Sequence, residues 1–103
     1  TGDCTAVNAY NWDTRTAYAV CMAESGGNPM ADNTGLNKDG SNDKGLMHIN
    51  SIHTPHLISD LDRFDPVKNM AAAYAIYKGA EKRTGNGWTA WSSYNAGKHL
   101  KFL

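Results

Sequence analysis

Residues 14–29 read TRTAYAVCMAESGGNP, and this stretch decides how the chain begins to fold. Asp13 stands just before it, an N-cap whose carboxylate can accept from the free N–H groups of a first helical turn. Gly26-Gly27-Asn28-Pro29 stops the helix firmly, so a helix is predicted from Thr14 to Ser25. Within it Ala17, Val20, Cys21 and Glu24 fall at i, i+3, i+4 and i+7, one face of a 3.6-residue period. The last member of that apolar stripe is a carboxylate. A glutamate in this place is desolvated on one side and open to a loop on the other, and desolvation disfavours a carboxylate's charged form. That is the setting of a general acid. The spacing alone fits equally a solvated glutamate at a helix end, the commoner case.

Working outward, Asp3 caps a short first helix that runs to about Tyr10. Residues 31–45, ADNTGLNKDGSNDKG, carry almost no apolar groups, which predicts a long irregular loop or a minimal β-hairpin. In the run Leu46-Met47-His48-Ile49, periodicity does not decide between strand and helix. Thr54-Pro55 reads as a cap followed by proline at the first helical position, opening a short helix over His56 to Leu61. Asp65-Pro66 repeats that signal and opens the longest helix, to about Thr84, with Gly85 after it. Its expected core stripe is Val67, Met70, Ala71, Tyr74 and Tyr77, and this helix is expected to be central. Trp88 to Tyr94 reads as a further short helix, and Gly97 separates it from a last turn, Lys98 to Leu103.

The chain has 103 residues, enough for one core and not two, so a single domain over 1–103 is expected. Ten Lys and Arg balance ten Asp and Glu. No global field draws the protein to nucleic acid or to an anionic membrane surface, and no apolar run approaches the roughly 20 residues needed to cross a bilayer. A polymeric, uncharged ligand fits this balance better. Thr1-Gly2-Asp3 opens no positively charged region or apolar block, so any secretion signal lies outside this sequence. Cys4 and Cys21 have neither zinc-knuckle nor CxxC spacing. They are either two buried thiols or a disulfide between the first two helices, and the unknown redox compartment decides which.

Four segments occur in order: Ala23-Glu24-Ser25-Gly26-Gly27-Asn28-Pro29, Gly45-Leu46-Met47-His48-Ile49-Asn50, Phe64-Asp65-Pro66, and Ser93-Tyr94-Asn95-Ala96-Gly97. Together they resemble the catalytic domain of soluble lytic transglycosylases, lysozyme-like proteins related to goose-type lysozymes, from about Trp12 to Gly97. The resemblance implies a mainly α fold of the α+β lysozyme-like kind, a compact helical domain around one long helix with the loop or minimal hairpin beside the cleft. It implies peptidoglycan glycan strands as partner, no cofactor, an extracytoplasmic or phage-borne location, and a monomeric domain, free-standing or part of a larger protein. It assigns the catalytic acid/base to Glu24 and a role in shaping that carboxyl's surroundings to Ser25. Gly45, Leu46, Met47, His48 and Asn50 are placed by similarity along the cleft, and Tyr94 near the acid with Asn95 beside it. Met47 and Tyr94 also fit a plain core, and Asn95 a helix C-cap.

Two positions depart from that family's pattern. His48 stands where glutamine is usual, introducing a side chain whose ordinary titration lies near neutral pH and so a pH-dependent contact. Ser93 replaces an alanine, a small change in size. No metal is expected: His48, His53 and His56 lack a zinc spacing, and Asn37, Asp39, Ser41 and Asp43 alternate without the glycine and closing glutamate of a calcium loop. Goose-type hydrolases carry aspartates before and at the end of the GLMQ segment. Asp39 lies at the upstream distance, six residues before Gly45, as a candidate to orient water, whereas the downstream position is Asn50. An amide is no base. The split favours a transglycosylase using Glu24 alone, with a hydrolytic muramidase or a non-catalytic glycan-binding module as alternatives. Trp12, Trp88, Trp91 and Tyr94 fit either sugar stacking or core.

Overall fold

In the computed structural model, which describes residues 3–103, three helices and a two-stranded sheet enclose one core. Helix α1 spans Thr14–Ser25, helix α2 Pro66–Thr84 and the short helix α3 Ser92–Asn95. Strands β1 (Asp43–Lys44) and β2 (Ile49–Asn50) pair antiparallel, Asp43 opposite Asn50 and Lys44 opposite Ile49. Tight 3-10 turns fill the connections at Thr5–Ala9, Ser51–His53, Leu61–Phe64, Gly87–Ala90 and Leu100–Phe102. The 31–45 segment is therefore a loop that closes into a minimal hairpin, and no described helix is long and apolar enough to cross a membrane.

The caps act as their residue types dictate. Asp13 accepts from the Arg15 N–H and Asp65 from those of Val67 and Lys68, while Gly26 and Gly85 end α1 and α2 in the left-handed region. The stripe on α1 is buried as expected, with Ala17, Val20 and Cys21 fully enclosed. The stripe on α2 is rotated: Val67 and Ala71 are exposed, and the inward face is Asn69, Met70, Ala72, Ala73 and Ala80, with Tyr74 and Tyr77 half-buried. Two observations account for the rotation. Asn69 is turned inward by three backbone partners, and the alanines let the helix press close to its neighbours.

The expected helix over 56–61 does not form. Thr54 is extended, a single helical-type bond runs from Leu57 N–H to His53 C=O, and Leu57 and Leu61 face solvent with only Ile58 buried. Without an apolar stripe to pack, nothing stabilises a further turn. The segment 88–94 likewise divides, into the turn Gly87–Ala90 and α3, with Trp91 extended between them.

The tryptophans are core. Trp12 packs on Tyr77 and Trp88 with ring centroids 5.4 and 5.1 Å apart, and Trp88 on Trp91 at 5.8 Å. Both buried indole N–H groups that anchor this cluster donate to backbone carbonyls, Trp12 to Val7 at 2.8 Å and Trp91 to Met47 at 2.9 Å. Cys4 and Cys21 are bonded to each other, tying the first turn to the middle of α1 across 17 residues. A loop of that size implies that reduction, or paired Cys→Ala substitution, lowers stability by about 3 kcal/mol. Denaturant midpoints with and without reductant are the check, and equal midpoints would remove the disulfide from the account.

Candidate active site

Three pieces of chain converge on Glu24. The last turn of α1 brings its carboxyl to the floor of a cleft of about 790 Å³, a volume within the range of ligand sites. The turn between β1 and β2 brings His48, and α3 brings Ser93. His48 Nδ1 lies 3.1 Å from Glu24 Oε1, and the Ser93 hydroxyl donates to Oε2 at 2.5 Å. The Glu24 side chain is only 10 % exposed, so a proton it carries is shielded from bulk water but open to whatever enters the cleft.

The turn that presents His48 is held rigidly from behind. Gly45 has φ +86° and His48 has φ +47°, a conformation that non-glycine residues adopt at a cost of roughly 1 kcal/mol or more. Asn69, fully buried on α2, secures it: its side-chain oxygen accepts from Met47 N–H at 2.9 Å, and its amide donates to the carbonyls of Lys44 and Arg63 at 3.0 and 2.8 Å. Arg63, also fully buried, donates to the carbonyls of Asn42 and Ile49 at 3.2 and 2.9 Å and to the carboxylate of Asp60. The strained histidine therefore sits on a turn fixed at both ends, with its imidazole directed at the acid.

A second carboxylate faces the same cleft. Asp43, on β1, accepts from the side-chain amides of Asn33 (2.6 Å), Asn37 (3.0 Å) and Asn50 (2.8 Å). Partial burial raises its pKa, but those three donors, with a smaller pull from His48, outweigh it and hold the carboxyl below its ordinary value. Asp43 is thus an anion at neutral pH. Asp39, the expected water-orienting residue, also borders the cleft, but it is exposed and its carboxylate is engaged by the Ser41 N–H and hydroxyl at 2.9 and 2.5 Å. The alternating loop side chains thus hydrogen-bond one another.

Of the site residues expected from sequence, Glu24, Asp39, His48 and Asn50 line the cleft together. Ser25 does not reach the acid; its hydroxyl bonds Cys21 C=O and accepts from Gly27 N–H, finishing the helix. Leu46 and Met47 are buried in the core and Gly45 abuts Arg63 and Asn69, so these three shape the turn from behind instead of offering side chains to the cleft. Tyr94 stacks on His99 at 4.5 Å and Asn95 donates to Thr89 C=O, both outside the cleft lining. Asp43, Ser93, Asn69 and Arg63 were not among the site residues expected. Asp43 was open to detection, because a four-residue hairpin turn after Lys44 sets it opposite Asn50.

The fold, a helical core beside a short hairpin, agrees with what comparison finds. The family described as "Lysozyme like domain" matches residues 4–93. The chain belongs to that family. The lysozyme-like domain is also 36% identical over 101 residues to "Invasion protein IagB" of Salmonella typhimurium and of Salmonella typhi, covering 93% of this chain. It spans 62% of the length of those relatives. In fold it is similar to a lysozyme from Litopenaeus vannamei, with a TM-score of 0.76 at 24% identity over 92% of this chain and 84% of that one. Family and fold together show a lysozyme-like domain.

Proposed function

We propose that this domain is a peptidoglycan lytic transglycosylase that cleaves the β-1,4 bond between N-acetylmuramic acid and N-acetylglucosamine. The observation that carries the reading is the Glu24 carboxyl, enclosed at the cleft floor and gripped on both oxygens. Protonated Glu24 gives its proton to the bridging oxygen as the bond to the anomeric carbon breaks, because an unprotonated sugar oxygen is a poor leaving group. The substrate's own N-acetyl group supports the developing positive charge. Glu24, now a carboxylate, takes the proton of the muramoyl 6-hydroxyl as that oxygen bonds the anomeric carbon. The acid is regenerated, no water is consumed, and an anhydromuramoyl end results. Peptidoglycan lies outside the cytoplasmic membrane, and a disulfide suits an oxidising compartment, so we place the domain there or on a phage particle.

Asp43 favours a second reading. Two carboxylates at one cleft are the equipment of a hydrolytic glycosidase, in which the anion acts on the face opposite the acid. End-group analysis by mass separates the two, since an anhydro end is lighter than a reducing end by one water. Anhydro ends are expected from the unsubstituted protein. Asp43→Asn is expected to slow release about tenfold, through loss of a negative charge near the oxocarbenium-like centre, with the ends unchanged. Mainly reducing ends would overturn the transglycosylase mechanism in favour of hydrolysis.

A further inference from the structure

We propose that Ser93 is a positioning residue for the acid: with His48 it holds the Glu24 carboxyl from opposite oxygens, fixing both the aim of that group and its readiness to change protonation state. The inference rests on the assignment of Glu24 as acid/base. The terminal torsion of a glutamate is broad, so a carboxyl without partners samples many orientations. Here Oε2 accepts from Ser93 and Oε1 faces His48, which leaves little freedom. Ser93 is itself fixed, 7% exposed on α3 with its backbone carbonyl accepting from Lys98 N–H at 2.8 Å.

The chemistry of a hydroxyl suits the cycle. It donates to a carboxylate and accepts from a carboxylic acid, so Ser93 can keep hold of Glu24 in both halves of the reaction. An alanine, the residue usual in the motif this segment resembles, does neither. The charged and titratable groups sharing the cleft with Glu24 all come from the loop and hairpin side. They are His48, Asp43, Asp39, Lys38 and His53, the last held toward its neutral form by burial. The residues that α2 and α3 contribute to the wall, Ile76 and Ser92, carry no charge, and Ser93 reaches Glu24 from behind that wall. Ser93 is therefore the one polar contact to Glu24 from the helical side among the described residues, and it does not titrate.

The test compares the unsubstituted protein with Ser93→Ala on soluble peptidoglycan fragments of defined length. The expected result is a fall in kcat of about tenfold with KM unchanged, the scale of one charge-assisted hydrogen bond. The alkaline limb of the pH–rate profile should move to higher pH, because a donor that favours the anion has gone. Independently of turnover, carboxyl-carbon NMR should show Glu24 titrating at higher pH in Ser93→Ala. A fall in kcat with neither the limb nor the titration displaced would reduce Ser93 to a structural role and overturn the proposal. So would an unchanged kcat. If the unsubstituted protein cleaves nothing, the acid assignment fails, and the NMR titration alone then decides whether Ser93 acts on Glu24.

Discussion

Glu24→Gln is expected to slow release of soluble glycan fragments from peptidoglycan by about a thousandfold, the scale of a lost general acid. Glutamine keeps the length and shape of the side chain and can still meet both partners, its oxygen accepting from Ser93 and its amide facing the His48 ring. It cannot deliver a proton. The variant should therefore fold, retain affinity for glycan strands and fail only in turnover. Initial rates of fragment release, alongside a co-sedimentation assay with insoluble peptidoglycan, check this. A loss below tenfold would move the acid role away from Glu24.

Gly45→Ala is expected to cost more than about 4 kcal/mol, a large share of the 5–15 kcal/mol available to a domain of this kind. At φ +86° a Cβ would stand 1.9 Å from the Arg63 carbonyl oxygen and 2.2 Å from the Asn69 amide nitrogen. Neither neighbour can yield cheaply. The Arg63 carbonyl is backbone, and the Asn69 side chain is committed to three backbone groups that would be orphaned in the interior, each at about 1–3 kcal/mol. Because the same turn carries His48, activity should fall with stability. Urea unfolding at equilibrium measures the difference, and a loss under 1 kcal/mol would show that the turn is looser than described.

Much of the fold was legible because local chemistry and tertiary packing agree. Asp13 and Asp65 cap, Gly26 and Gly85 stop, and the Ala17–Val20–Cys21–Glu24 spacing puts an acid at the end of a buried face. Legibility failed where tertiary packing, present or lacking, overrode a local signal. Thr54-Pro55 looks like a helix start, yet the residues after it have one inward apolar side chain and remain turns. On α2 the inward face is set by Asn69, a polar residue that an apolar stripe cannot reveal, and Val67 is left outside.

The site followed the same division. Glu24 and His48 were visible as residues, but their contact spans 24 positions and depends on a left-handed histidine that no pattern announces. Asp39 drew attention by its distance from Gly45, whereas pairing across the hairpin places Asp43 against Asn50 and gives it the three amide donors. Ser93 differs from alanine by one oxygen. That oxygen touches the acid, so a change small in volume is large in chemistry.

The most direct test of the central claim is to incubate the disulfide-intact protein with purified peptidoglycan sacculi and determine by mass what enters solution. Soluble glycan fragments bearing anhydromuramoyl ends, released about a thousandfold more slowly when Glu24→Gln replaces the unsubstituted protein, are the expected result. Intact sacculi after incubation with folded protein, or equal release by both proteins, would contradict the claim that Glu24 cleaves the glycan strand.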